Sequence, residues 1–333
     1  GFLNYDKKHL IQGIILNRMS KGYYETLKAL IEEELQIRLL GFLPEKEELH
    51  IESRHLGLFL PDEVNHIKEK LQAVSELFLQ TVSVERIKEI AESAEELESE
   101  EIAIKETGIE SYGDIGHVKA VSDSRPTIAV AKDEAFCFYY ADNIRLLEEY
   151  GANITYFSPL RDEKLPEGCH ALLIGGGYPE LYAAQISANT RMREAVRNAV
   201  ENEMPVVAEC GGFMYLHSFL KDKEGLSYDM AGVIPASCYY TGKLVRFGYI
   251  ELREKQKHFL PNGGGIKGHE FHYYDSTYNG ADVIAVKPMT GKEYACIIEN
   301  KAQWMGFPHL YYPSNPIFAR AFVDKAKVYQ GMI

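Results

Sequence analysis

The sequence predicts an α/β protein: a mixed sheet flanked by helices, preceded by a smaller α/β piece. Three observations predict it. Residues 10–43 read strand, helix, strand with short connections. Residues 127–208 alternate apolar runs of strand length with amphipathic helix patterns, and beyond residue 243 several strand-like segments follow with few helices between them. The chain has 333 residues, 46% of them hydrophobic, which is enough for two cores of ordinary size.

The first strand, 10–17, is a short apolar run suited to a parallel sheet buried on both faces. A helix follows over 23–35, with Leu27, Leu30, Ile31 and Leu35 at helical spacing. A second strand, 39–43, stops at Pro44. Two strands are too few for a complete nucleotide-binding domain, so residues 1–95, helical in pattern from 61 onward, are expected to be the C-terminal portion of one. The chain opens on Gly1 directly before this pattern, and the expectation is a piece of something longer. Residues 96–124 turn acidic and irregular. They are expected to form a linker or a solvated helix end, and either places a domain boundary there.

The second domain, 125–333, opens with a strand at 127–131, a helix around 139–150 and strands at 154–157 and 171–174. A helix over 192–203 feeds a strand at 205–208. Strand-like segments at 243–253, 266–274 and 295–299 complete the mixed sheet. A last helix is expected over 316–329, with Ser314 and Asn315 as caps and Pro316 at its first position.

A net charge of −13 argues against a broad surface for nucleic acid or anionic membrane. No run approaches the ~18 apolar residues that span a bilayer. Five scattered cysteines without a CxxC pair fit neither a disulfide framework nor a zinc knuckle, and suit a reduced cytoplasm.

The most informative stretch is Pro205-Val-Val-Ala-Glu-Cys-Gly-Gly-Phe-Met-Tyr215. An apolar strand ends at Cys210 and two glycines open a helix, the sequence form of a nucleophile elbow. Ala208, Gly211 and Gly212 supply the small residues that a tight turn needs. A sulfur at a helix N-terminus is expected to be favoured as thiolate. A second cluster, Leu173-Ile-Gly-Gly-Gly-Tyr-Pro-Glu180, also follows an apolar strand. An N–H from Gly175, Gly176 or Gly177 is expected to join that of Gly211 in an oxyanion hole. A plain tight turn and a buried structural cysteine are the bland readings of the two clusters, and their joint register speaks against both.

These motifs, with Gly268-His-Glu-Phe-His-Tyr273 and Phe307-Pro-His-Leu-Tyr-Tyr-Pro-Ser-Asn-Pro316, resemble the class I glutaminase domain of the cobyrinate a,c-diamide synthase family. Phe136-Cys-Phe-Tyr-Tyr-Ala-Asp-Asn143 is similar to the opening of that domain. Gly13-Ile-Ile-Leu-Asn-Arg18 and Arg54-His-Leu-Gly-Leu58 resemble the end of the family's P-loop-type, ATP-dependent synthetase domain. The resemblance implies a glutamine-hydrolysing amidotransferase with Cys210 as nucleophile and His309 as its base. Ammonia from glutamine would amidate two carboxylates of a tetrapyrrole, with ATP and Mg²⁺ serving the complete enzyme.

Three departures stand out. No Glu follows two residues after His309, and where relatives tend to read His-x-His this chain has Tyr311, so the group that orients the base is left open. Pro308 replaces a more usual aliphatic neighbour. No phosphate-binding Gly-x-x-x-x-Gly-Lys-Ser/Thr run occurs, so the missing synthetase portion is expected from the same gene or a separate chain. His269 and His272 lack a third ligand, so they are read as hydrogen-bonding strand residues beside the cleft, with no metal assigned. Asn17 ends its strand as a synthetase-side contact or a plain turn. The rival readings are a glutaminase-like binding or regulatory domain switched off at Pro308 and Tyr311, another cysteine hydrolase, and an amidotransferase for a different tetrapyrrole such as nickel sirohydrochlorin.

Overall fold

The computed structural model of the protein describes residues 2–51, 53–54, 57–58, 64–95, 125–260 and 264–331. The linker expected over 96–124 lies outside them, as do His55 and Leu56 of the 54–58 motif. The chain divides into two compact units, Gly1–Asp114 and Ile115–Ile333.

In the first unit, strands Gly13–Asn17 and Arg38–Leu43 pair in parallel across the helix Lys21–Leu35. Ser20 caps that helix by accepting the Tyr23 N–H, and Gln36 ends it in the left-handed region. Tyr24, Leu39 and Phe42 form a small core, the Tyr24 and Phe42 rings stacked at 4.6 Å. The helical stretch expected to run to residue 95 is two helices, Ile67–Thr81 and Val84–Glu92. They part at Val82, which bridges to Gly41 in the second strand. A Cβ on Gly41 would lie 2.2 Å from the Thr81 carbonyl oxygen, so only glycine admits this approach.

The second unit is built on a six-stranded sheet in the order Ile298–Glu299, Gln303–Gly306, Val206–Glu209, Ala171–Ile174, Thr127–Ala131, Asn153–Phe157. All its pairs are parallel except that of the edge strand Ile298–Glu299. Period-two alternation sends Ile128, Val130, Leu173 and Val207 into one core and Ala129, Ala131, Leu172, Ile174 and Ala208 into the other. Burial on both faces explains why these strands read as unbroken apolar runs. Helices Ala183–Ala188 and Thr190–Glu201 contribute to the second core. The first core is completed by helices Ala141–Glu149 and Ile317–Gln330 and by a five-stranded antiparallel sheet. That sheet runs Glu293–Cys296, Val283–Val286, Arg246–Glu254, Ile266–His272, His309–Leu310.

Several expectations change. The segment 295–299 is two strands in different sheets, turned at Ile297, whose φ is +63°. The segment 266–274 also divides: Tyr274–Ser276 joins a four-stranded sheet with His217–Lys221, Ser227–Asp229 and Ile234–Tyr240, three strands the sequence reading did not contain. The helix expected from 139 begins at Ala141, because Phe136–Phe138 instead pairs with Gly176–Gly177. The last helix begins at Ile317, with Pro316 just outside it. Ser314 and Asn315 do not cap it: Ser314 Oγ accepts the Lys267 N–H and the Asn315 amide donates to the Gly265 carbonyl. Among the described residues no helix is long and apolar enough to cross a membrane.

Candidate active site

Cys210 stands between the strand Val206–Glu209 and the short helix Gly211–Leu216 with φ +49° and ψ −104°, a conformation side chains rarely adopt. Such strain costs on the order of 1–3 kcal/mol and persists only where the surroundings impose it. Here the Cys210 N–H donates to the Gly306 carbonyl at 2.9 Å, and the Gly212 N–H donates to the Gly175 carbonyl at 2.9 Å. A Cβ on Gly212 would lie 1.9 Å from the Ile174 oxygen, so the turn closes against the neighbouring strand only with glycine there.

The glycine loop links the cysteine turn to the histidine. A Cβ on Gly211 would sit 3.1 Å from the Gly177 nitrogen, and one on Gly176 would sit 2.3 Å from Cε1 of His309. The Tyr178 N–H donates to the Ala135 carbonyl, so Phe136 and Gly177 form a non-hydrogen-bonded pair whose own N–H groups turn away from each other. The Gly177 amide is thereby presented beside Gly211. Gly175 differs from the expectation: its N–H donates to Tyr139 Oη at 2.9 Å and its carbonyl holds Gly212, so it clamps the turn and offers no proton to an oxyanion.

His309 lies on a short edge strand opposite His269, and the two rings stack at 4.9 Å and 13°. His269 Nδ1 is 3.1 Å from Tyr140 Oη. Nδ1 of His309 lies 3.9 Å from a carboxylate oxygen of Glu209. The backbone beyond His309 is fixed by Asn143, whose buried amide bonds both Leu310 and Tyr312. His272 faces elsewhere, stacking on Phe307 at 4.1 Å with Nδ1 against the Tyr274 carbonyl. Among the described residues no group of three His, Cys, Asp or Glu side chains could hold a metal ion.

Cys210, His309 and Glu209 are all buried, and their titration follows from that. Burial, then the charge of Glu180, pushes the Cys210 thiol up to about 12, with the Gly211 amide acting in the opposite direction. Burial thus works against the thiolate that a helix start was expected to favour. Burial, then His269 and His272, holds His309 down at about 3, and burial pushes the Glu209 carboxyl up to about 8. A thiol and an imidazole that are both uncharged at rest suit a nucleophile activated only as it attacks.

Residues 127–307 match the family model of the CobB/CobQ-like glutamine amidotransferase domain. The cobyrinate a,c-diamide synthase of Caldanaerobacter subterraneus subsp. tengcongensis is 36% identical over 330 residues, covering 98% of this chain and 69% of the relative. The chain belongs to the cobyrinate a,c-diamide synthase family. Its counterpart in Fusobacterium nucleatum is 36% identical over 317 residues, 94% of this chain and 69% of the relative. This family member is thus an amidotransferase.

The family motif 136–143 had no assigned task in the sequence, and its residues turn out to support the site. Tyr139 holds Gly175, Tyr140 meets His269, and Asn143 pins the histidine segment. Tyr311 packs edge-on against Tyr140 at 5.7 Å. Asn17 and Arg18 line a cavity of about 1360 Å³ in the first unit, together with Lys46, His50, His66 and Lys70. It opens beyond the C-terminal ends of the two parallel strands, where ligands bind in such sheets.

Proposed function

We propose that this chain hydrolyses glutamine at Cys210 and His309 and supplies the ammonia for amidation of cobyrinate carboxylates in an ATP- and Mg²⁺-dependent step. The observation that carries the reading is Cys210 held in a strained strand-to-helix turn, joined to the His309 ring through one glycine loop. The relatives named above are cobyrinate a,c-diamide synthases, which favours cobyrinate over nickel sirohydrochlorin as acceptor. A reduced cytoplasm is the compartment proposed.

Cys210 Sγ attacks the side-chain amide carbon of glutamine while His309 takes the thiol proton. With thiol and imidazole both uncharged at rest, the proton leaves as the C–S bond forms. The oxyanion is received by the N–H groups of Gly211 and Gly177, and loss of one such donor costs ~10²–10³ in rate. His309 returns the proton to the departing nitrogen and ammonia leaves. Water, deprotonated by His309, then opens the thioester to glutamate and restores the thiol.

Activating a carboxylate with ATP requires a loop, a lysine and Mg²⁺ around the triphosphate. The sequence contains no such loop, and the described residues offer no metal cluster, so no part of that step is assigned to them.

The test is glutamate release from glutamine by the wild type and by Cys210→Ala. Loss in the variant supports the reading, and equal rates would end it. With Mg-ATP, glutamine and cobyrinate together, glutamate without ADP or diamide is expected. Diamide formation would place the ATP site within this chain.

A further inference from the structure

We propose that Glu209, the residue immediately before the nucleophile, is the positioning residue for His309, fixing its tautomer and steadying the charge the ring gains during the reaction. The inference rests on the glutaminase reading above and deepens it, by filling the role for which the sequence offered no candidate.

Glu209 is a carboxyl only 6% exposed, and among the described residues the ion-pair contact it makes is to His309, with no Lys or Arg acting on it. One of its oxygens, Oε1, has no hydrogen-bond partner. A carboxyl buried so incompletely satisfied is costly, and sites that use a group are where such costs are kept. Its surroundings show the use. Glu209 is paired with Gly306 across the parallel strands, three residues before His309. Its carboxyl accepts the Leu310 backbone N–H and faces Nδ1 of His309 at 3.9 Å. Hydrogen bonds of this kind commonly lengthen in the unliganded site and tighten with substrate.

The other sides of the ring are occupied by groups that cannot replace it. His269 covers one face, and Gly176 lies against the Cε1 edge. Glu270 and His272, also near, are engaged elsewhere: Glu270 with Arg246 and Tyr294, and His272 with the Tyr274 carbonyl. The titratable neighbours of Glu209 itself are Tyr139, Tyr140 and Tyr312, besides Cys210 and His309. With Nδ1–H donated to the carboxylate, Nε2 keeps its lone pair for the thiol proton, and the imidazolium that forms meets an anion. That basic state carries one proton fewer than the resting pair, a neutral carboxyl beside a neutral imidazole. Since burial pushes Glu209 up to about 8, activity climbs towards that pH along a limb belonging to the pair.

Glutamate release by the full chain, followed from pH 5.5 to 9, tests this in the wild type, Glu209→Gln and Glu209→Asp. Glu209→Gln is expected to lower kcat on the order of 10²–10⁴-fold with little change in KM, and to lose the acid limb. Glu209→Asp keeps the acid, so it should fall less and retain the limb; it also serves as the comparison if the glutamine variant unfolds early. A Glu209→Gln profile with the wild-type limb, at whatever kcat, would overturn the assignment, since a structural role alone leaves the limb in place. So would a Glu209→Asp variant that loses the limb. A wild type that releases no glutamate would instead sink the glutaminase reading and this inference with it.

Discussion

Asn143 and Leu310 are joined by a buried hydrogen bond of 2.8 Å although 167 residues separate them. The Tyr312 N–H donates back to the same side chain at 2.9 Å, so one amide fixes the backbone on both sides of Tyr311. His309 is the residue before this clamp, which holds the backbone from which its ring projects.

Asn143→Ala should therefore strand a carbonyl and an N–H in the interior. Each unsatisfied group costs roughly 1–3 kcal/mol, so a loss of about 2–5 kcal/mol is expected. Urea unfolding measures it. Glutamine hydrolysis should drop at least tenfold in protein that is still folded, and a wild-type midpoint would mean that solvent replaces the amide without cost.

The strain at Cys210 separates two otherwise equivalent inactive variants. Cys210→Ala and Cys210→Gly both lack the sulfur, so neither should release glutamate. Glycine tolerates φ +49° and ψ −104°, whereas alanine keeps the strain. Net of glycine's entropy in the unfolded chain, Cys210→Gly is expected to be the more stable by about 1 kcal/mol. Thermal melting in the reverse order would show that the turn is not strained.

Stability should also carry the signature of Glu209. Its carboxyl is raised from 4.5 to about 8 on folding, so the folded state binds the proton more tightly. The stability this contributes is fully present below 4.5 and lost as pH rises through about 8. Glu209→Gln does not titrate, so its stability relative to wild type should rise between pH 4.5 and 8 and level off above. A difference independent of pH over that window would mean that the carboxyl is ionised throughout. His309, held at about 3, works in the opposite sense: its contribution is present above its ordinary value of 6.5 and lost as pH falls towards 3.

Alkylation should follow exposure rather than position on a helix. Cys210 is buried and its thiol is pushed up to about 12, whereas Cys137 is partly exposed. A small neutral alkylating agent at pH 7 is expected to label Cys137 before Cys210. A reactive glutamine analogue, which brings its own contacts to the cleft, should reverse the order. Rapid labelling of Cys210 by the simple reagent would show a thiolate at rest.

What the sequence revealed and what it concealed divide along chain distance. The cysteine turn was legible because the strand, the thiol and both glycines are consecutive. The parallel core was legible because burial on both faces leaves unbroken apolar runs such as 171–174. Glu209 was not, since its nearness to His309 arises from pairing between Val206–Glu209 and Gln303–Gly306, about a hundred positions apart. Gly175 looked like an oxyanion donor for the same reason: the Tyr139 hydroxyl that takes its N–H comes from 36 residues away. The strands His217–Lys221 and Ser227–Asp229 were hidden by brevity and by mixed exposure, which leaves no clean alternation to read.

Tyr139, Tyr140 and Asn143 span five residues yet reach the glycine loop, the histidine stack and the segment after His309. The helix that carries Asn143 begins at Ala141, so its angular phase is set within one turn of the two tyrosines. One extra residue between Tyr140 and Asn143 would swing the asparagine by ~100° about the helix axis. It would then point away from Leu310 while both tyrosines stayed engaged. The segment is keyed like a lock: it admits changes of side chain one at a time, but an insertion or deletion after Tyr140 uncouples the asparagine's contact from those of the two tyrosines.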